Sequence, residues 1–289
     1  MRKRRKSVIL LKEYDRFFIQ VEILFSIKRS AGCAQEVNEW ETEKMRTYKL
    51  TIAYDGTGYQ GWQRQASTEN TIQGILERCI SEKAGYAVEV DGSGRTDGGV
   101  HARGQTASVV LRGLAEDGFF LKQVNGILPP DIRILEAALV KNGFHARKSA
   151  VGKVYEYYID TGERPDVFTR RYCFHYPRKL DLSAMRTAAG CLIGTHEFAG
   201  YTDKKEEKST KRTIYAIIVS GQGSRVKIRY EGTGFLYHMV RILTGTLIEA
   251  GTGERSPESA ADALRTLDRR QSGFLAPAQG LFLQEVHYR

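Results

Sequence analysis

A carboxylate sits in the middle of the most glycine-rich stretch of this 289-residue chain. It is Asp97, in the run from Asp91 to Arg103, with Gly92, Gly94, Gly98 and Gly99 around it and Arg95, Thr96 and His101 close by. Glycine admits backbone angles closed to other residues and lets a ligand approach the main chain. The segment does not read as a phosphate cradle: no Lys-Ser/Thr pair follows its last glycine, and the dinucleotide pattern needs glycine where Asp97 stands. A carboxylate so placed can bind a metal, take a proton or attack an electrophile. A metal would want more ligands than Asp91 and His101, the other ligand types in the loop. Arg95, two residues away, favours instead a carboxylate that stays ionised. A tight turn closed by an Arg–Asp pair is the alternative without chemistry.

A second segment offers that carboxylate a partner. Leu236 to Ala250 reads as a helix that is apolar around most of its girth. Tyr237, Arg241 and Thr244 nevertheless fall at i, i+4 and i+7 as a narrow polar stripe, with His238 beside it. An arginine on a mostly buried helix needs an anion, because a buried charge left unpaired costs several kcal/mol. Asp97 is the natural candidate; snorkelling to the surface or a phosphate would also satisfy Arg241.

The elements that must position these residues mix strands and helices. Thr47 to Tyr54 alternates apolar and polar residues as a half-buried strand does. Asn70 can cap a helix carrying Ile72, Ile75, Leu76, Cys79 and Ile80 at helical spacing. Tyr86 to Val90 and Thr106 to Leu111 read as strands either side of the glycine-rich loop, followed by helix Phe119 to Ile127 and strand Asp131 to Val140. A second half opens with strand Val154 to Ile159 and a helix capped by Asp181. A hairpin follows, Thr213 to Ser220 and Arg225 to Tyr230, with Gly221 and Gly223 at its turn. After the helix bearing Arg241 come a short helix near Ala260 to Leu267 and a last strand, Leu281 to His287. This order predicts an α+β fold.

Residues 1–45 differ from the rest, starting strongly basic and ending in the acidic stretch Glu36 to Lys44. They are expected to be an N-terminal extension outside the core, with Met45 as the true start; the remainder divides into halves 46–148 and 149–289. The net charge of +10 rests mainly on those halves and points to phosphate-rich partners. Neither a secretory signal nor a membrane-length apolar run is read, and the four scattered cysteines form no C-x-x-C pair. A reducing cytoplasm is the expected location. His196-Glu197 lacks the second histidine of a H-E-x-x-H site, and the deaminase zinc pattern is absent as well.

Taken together, the motifs resemble the TruA family of tRNA pseudouridine synthases. They are Tyr54 to Gln65 (YDGTGYQGWQRQ), Gly94 to Ala102 (GRTDGGVHA), Asn125 to Ile132, Phe144 to Arg147, Lys153 to Tyr157 (KVYEY), Gly194 to Phe198, His238 to Arg241 and Ala276 to Leu283, in family order from about Thr47 to the C-terminus. Gly98 stands where the family usually has Ala, Ser93 where a small residue is usual, and Ile242 where an Asn commonly follows the helix Arg. Residues 1–45 have no counterpart.

The resemblance implies two pseudosymmetric, ferredoxin-like-derived halves. They form a continuous mixed, largely antiparallel sheet flanked by helices, with the active-site cleft between them. It implies Asp97 as nucleophile, Arg95 and Arg241 flanking it, and Tyr155 packed on the target base. The reaction implied is isomerisation of uridine to pseudouridine at positions 38, 39 and 40 of tRNA. It needs no metal, ATP or redox cofactor, and the enzyme is a homodimer whose subunits share each tRNA. Arg103 is expected to hold the RNA backbone deformed by base flipping. Lys204, Lys205, Lys208, Lys211 and Arg212 are expected to form a backbone patch, against the plainer view of a solvated face. Arg64 and Trp62 are further candidates, Trp62 equally as core. A non-catalytic tRNA-binding paralogue is the alternative.

Overall fold

The first helix shows how local chemistry sets an element boundary. In the computed structural model, which describes residues 45–112, 118–204 and 209–289, Thr71 caps α1 (Ile72–Ala84). Its backbone is extended and its hydroxyl accepts from the Gly74 N–H, one of the orphan donors of a helix start. Asn70, expected as the cap, spends its amide on the Gly58 carbonyl instead. Residues 1–44 and the expected RNA contacts Lys205 and Lys208 lie outside the described residues.

Among the described residues ten strands make one sheet: β1 (Met45–Tyr54), β2 (Val90–Gly92), β3 (His101–Arg112), β4 (Ile132–Leu139), β5 (Ala150–Asp160), β6 (Phe174–His175), β7 (Gly194–Glu197), β8 (Lys211–Gln222), β9 (Arg225–Gly232) and β10 (Leu281–Tyr288). Their order is β4-β1-β3-β10-β5-β9-β8-β7, with β2 paired to β3 and β6 to β5. All pairs are antiparallel except β10–β3 and β5–β6. The remaining helices are α2 (Phe119–Ile127), α3 (Leu182–Gly190), α4 (Met239–Thr252) and α5 (Asp262–Thr266). The sheet is therefore mixed and largely antiparallel, flanked by helices, in an α+β fold.

Strand alternation sorts residues onto two faces. The register of β10 puts Leu283 level with Ala102 and Tyr155, and Phe282 level with His101 and Glu156. A bulge in β3 lets Tyr54 pair with Ala102 and Ile52 with Gln105, so Ala107 and Val109 share the face of Leu50 and Tyr155. Helices cover this face. Ile80 of α1 and Phe120 and Val124 of α2 meet Leu50, Leu111 and Ile134. On α4, Thr244 pairs with the Tyr230 hydroxyl at 2.8 Å. Burying each such aliphatic side chain contributes about 1.5–3 kcal/mol. The opposite face shows Arg103, Glu156, Tyr158 and Phe282, and Val110, Leu135 and Ile218 stand exposed there.

Several expected boundaries shift for identifiable reasons. The stretch before β2 is no ladder strand: Glu77 and Gln73 of α1 bond the Val90 N–H and carbonyl, and Ser81 takes the Val88 N–H. The helix bearing Arg241 starts at Met239, not Leu236, because His238 has φ 61, which a right-handed helix excludes. Gly221 is no turn residue; it pairs with Val226 in β8, and Gly223 and Ser224 make the turn. The expected helix near Ala260 to Leu267 divides into a 3-10 turn, Pro257–Ala261, and α5. The short strands β6 and β7 have too few residues to show a period.

Candidate active site

The loop around Asp97 is fixed on both sides by side chains that reach it from the sheet. The Ser93 N–H bonds the Thr106 carbonyl at 2.7 Å, and the Ser93 hydroxyl bonds Gln105 Oε1 at 2.7 Å. Gln105 Nε2 in turn donates to the Gly94 carbonyl at 3.1 Å. Thr96 Oγ1 shares a 2.8 Å bond with the buried Tyr54 hydroxyl, and its carbonyl accepts from the Trp62 N–H at 3.0 Å. Burial pushes the Tyr54 phenol up, so it stays neutral. Gly61 passes so close that a Cβ there would lie 2.7 Å from the Thr96 carbonyl oxygen, and its φ of +93° is left-handed. Trp62 is 2% exposed and belongs to the core rather than to an RNA-facing surface.

Asp97 meets α4 across this frame. Arg241 Nη1 donates to Asp97 Oδ2 at 2.9 Å, while Arg241 Nε donates to the Ala276 carbonyl at 2.7 Å. The two bonds use the fixed fork of the guanidinium. They aim Arg241 without help from residue 242, since Ile242 is fully buried in the core. The Asp97 side chain is 21% exposed and that of Arg241 12%. Among the described residues, Asp97 Oδ1 accepts no hydrogen bond, so one oxygen is anchored and the other is open.

His238 Nε2 stands 3.6 Å from Asp97 Oδ2, beyond hydrogen-bond length. Its Nδ1 contacts Asp203 Oδ2 at 2.7 Å, and Asp203 Oδ1 accepts from Arg269 Nε at 2.7 Å. Those two bonds hold the Asp203 carboxyl below the usual carboxylate range against the opposing effect of burial, which is the largest influence on it. Tyr155 is buried in an edge-to-face contact with Phe235, centroids 5.3 Å apart. Burial first, then Tyr54 and Asp97, raise its phenol, and its hydroxyl has no hydrogen-bond partner among the described residues.

The other expected site residues differ in their surroundings. Arg95 is exposed and donates to Gln63 Oε1 at 3.0 Å; it does not pair with Asp97, because Gln63 captures its guanidinium. Tyr237 precedes α4 and stacks on His238 at 3.7 Å, so no helical stripe joins it to Arg241. Arg103 lies over Phe282 and Tyr158, on the face away from Tyr155, because successive residues of a strand point to opposite sides. Arg64 is paired with Glu77 at 2.8 Å. Lys204 and Lys211 are exposed, and Arg212 is half-buried. His101 is occupied structurally: Nδ1 accepts from the Gly56 N–H and Nε2 bonds the Arg171 carbonyl, while burial lowers its pKa. Asp203 and Arg269 carry no motif of their own that marks them in the sequence; His238, between Asp203 and Asp97, opens the motif His238 to Arg241 but has no role assigned by it.

Comparison with known proteins agrees with this arrangement. A family model described as tRNA pseudouridine synthase matches residues 50–147 and 188–289. The chain is 43% identical over 249 residues to the tRNA pseudouridine synthase A of Bacillus sp. (strain KSM-64), covering 84% of this chain and all of that protein. It is 42% identical over 248 residues to the protein of the same name in Lacticaseibacillus casei (strain BL23), with the same coverage. The tRNA pseudouridine synthase A 2 of Bacillus thuringiensis subsp. konkukian is 40% identical over 245 residues, again with 84% of this chain and all of the relative covered. The two matched segments contain Asp97 and Arg241, the pair that joins the glycine-rich loop to α4, and the chain belongs to the tRNA pseudouridine synthase family.

Proposed function

We propose that this chain isomerises uridine to pseudouridine in tRNA, at positions 38, 39 and 40 of the anticodon stem-loop, with Asp97 as nucleophile. The observation that carries the reading is the asymmetric carboxylate: Oδ2 is held by Arg241 while Oδ1 is left without a protein partner among the described residues. A nucleophile needs that combination of fixed direction and free lone pair. The isomerisation breaks the bond from ribose C1′ to N1 and forms one from C1′ to C5. C5 loses a proton and N1 gains one, so nothing is consumed. Attack on C1′ or on the uracil ring draws on the same open oxygen. Tyr155 supplies an apolar ring for the uracil to stack on and a neutral hydroxyl at the site of proton loss. Flipping the nucleotide out of its stem costs a few kcal/mol, and exposed Arg95, Lys204 and Lys211 are suited to hold the displaced backbone.

The segments 46–148 and 149–289 are taken as two halves facing across this cleft. A homodimer is supported by the sheet face away from the helices. There, Val110, Leu135 and Ile218 are about half exposed, and a cavity of about 800 Å³ is lined by Tyr158, Tyr172 and Phe282. Its place of work is the cytoplasm, where tRNA matures.

The test is tritium release from tRNA labelled at C5 of uridine, with Asp97→Ala alongside. Release by the wild type and none by the variant is expected. Release by both would take the nucleophile's role from Asp97. No release by either, with tRNA still bound, would make the chain a binding paralogue.

A further inference from the structure

Lys153 is the cation that the site just described does not use. It lies two residues before Tyr155 on β5, on the same face, and its Nζ donates to the Ser93 carbonyl at 2.8 Å. The fit is tight, since a Cβ on Gly94 would stand 2.3 Å from that Nζ. An ammonium has three N–H donors, and the Ser93 carbonyl accounts for one of them. Among the described residues no carboxylate pairs with Lys153. The charges near enough to act on it are Arg147, from the segment before β5, and Arg212, at the start of β8. Neither of these has a carboxylate partner either: Arg212 donates to the Ser209 and Lys211 carbonyls, and the Arg147 guanidinium has no bond among the described residues. Three cations from three separate segments thus act on one another, and one of them, Lys153, bonds the backbone that leads into Asp97.

A half-buried ammonium beside two like charges is unfavourable unless an anion joins it. Its pKa reflects this: burial, with Arg147 and Arg212 adding, pushes Lys153 down to about 8. Among the described residues no anion joins it, and the loop presents its main chain to the same place. We propose that Lys153, with Arg147 and Arg212, forms a binding site for one backbone phosphodiester of the RNA substrate, adjoining the target nucleotide. This rests on the reading of the chain as a tRNA pseudouridine synthase and adds a specific contact to it. Lys153 would then couple two events, because the group that grips the phosphate also bonds the Ser93 carbonyl, four residues before the nucleophile. Correct seating of the RNA would steady the loop that holds Asp97.

The experiment measures binding of an anticodon stem-loop RNA in the Asp97→Asn background, where turnover is blocked, with and without Lys153→Met. Losing a charge-assisted bond to phosphate should weaken binding about tenfold or more. It should also flatten the plot of log affinity against log salt by about 0.7–0.9, the slope of one phosphate contact. Replacing the phosphates near the target one at a time by uncharged methylphosphonate should find one position at which Lys153→Met no longer matters. Lys153→Arg should restore the slope. Arg147→Gln, an exposed change that leaves the core untouched, should lower the slope as well and carries the test if Lys153→Met does not fold. Unchanged affinity and slope, with the wild type releasing tritium, would overturn the phosphate site and leave the enzymatic reading standing. A weakened affinity at unchanged slope, insensitive to every methylphosphonate, would make Lys153 a loop brace and nothing more. A parent chain that neither binds the stem-loop nor releases tritium would bring down the enzymatic reading first and this site with it.

Discussion

Arg241→Met removes the contact on which the geometry of Asp97 depends while keeping side-chain volume and apolar packing. Two bonds are lost, one to Asp97 Oδ2 and one to the Ala276 carbonyl. A hydrogen bond to a charged group contributes about 1.5–3 kcal/mol, and a buried acceptor left bare costs about 1–3 kcal/mol. Ala276 is fully buried, so its carbonyl gains little from water; Asp97 is 21% exposed and recovers part of its loss by hydration. Removing the guanidinium also relieves its own desolvation, which offsets some of the total. The net destabilisation comes to about 2–4 kcal/mol. For a chain of this size that lowers the unfolding midpoint by roughly 5–15 °C. Activity should fall further than stability, because a reacting group displaced by about 1 Å costs on the order of a hundredfold in rate. Arg241→Lys should recover part of the midpoint and little of the rate, since one ammonium cannot reproduce two bonds from a rigid fork. Thermal unfolding followed by circular dichroism gives the first quantity and tritium release below the midpoint gives the second. A methionine variant that melts within about 1 °C of the wild type and turns over within about threefold would refute the argument that this pair aims the nucleophile.

Two glycines in the same region should behave oppositely. Gly61→Ala sets a left-handed φ against L-chirality and drives a Cβ to 2.7 Å from the Thr96 carbonyl, so both the melting midpoint and tritium release should drop sharply. Gly98→Ala meets nothing nearer than the Tyr59 carbonyl at 3.4 Å and should keep most of the activity; equal damage from both would sink the steric reasoning. A third prediction concerns pH. The folded state holds Lys153 at about 8, below the ordinary lysine value of about 10.4. Between those values the unfolded chain binds the proton that the folded one has released, so stability rises with pH there. Without RNA, the stability difference between the wild type and Lys153→Met should therefore shift in favour of the wild type from pH 7 to pH 10. An identical difference at the two pH values would contradict it.

The parts of the site legible in the sequence were those in which burial makes a demand. Arg241 on an apolar helix required an anion, and the carboxylate in the glycine-rich loop supplied it from 144 residues away. Closeness in sequence misled in the same place: Arg95, two residues from Asp97, turns to Gln63 instead. The stripe of Tyr237, Arg241 and Thr244 assumed an unbroken helix, and the left-handed His238 ends that assumption one residue before the first turn. Thr244 is indeed on α4, but it bonds Tyr230 in the core rather than facing the site. The sheet face of Arg103 was not legible, because β3 starts earlier than its apolar pattern suggests and period two carries residue 103 to the side away from Tyr155. Lys153 with Ser93, and His238 with Asp203 and Arg269, join segments whose meeting depends on tertiary packing, which no local pattern encodes.

The last strand explains why a carboxylate on one loop and an arginine on a distant helix can be held to hydrogen-bond precision. β10 runs antiparallel to β5 along most of its length but touches β3 in parallel at two positions only, Phe282 with His101 and Leu283 with Ala102. Those two rungs lie immediately after the loop that carries Asp97. The approach to β10 is fixed from the other side, for the Ala276 carbonyl holds Arg241 Nε and the Pro277 carbonyl accepts from the Tyr157 hydroxyl at 2.7 Å. Eight residues, Ala276 to Leu283, therefore touch β3, β5 and α4 at once. A parallel contact of two rungs contributes little ladder energy of its own, so the alignment of Asp97 with Arg241 depends on the side-chain bonds at either end. The C-terminal segment should therefore influence activity, although among the described residues none of its side chains bonds the Asp97 carboxylate. Loosening it, for instance with Tyr157→Phe, which leaves the Pro277 carbonyl without its donor, should lower tritium release more than it lowers the melting midpoint. A variant that loses stability and rate in equal proportion would instead make this strand an ordinary part of the core.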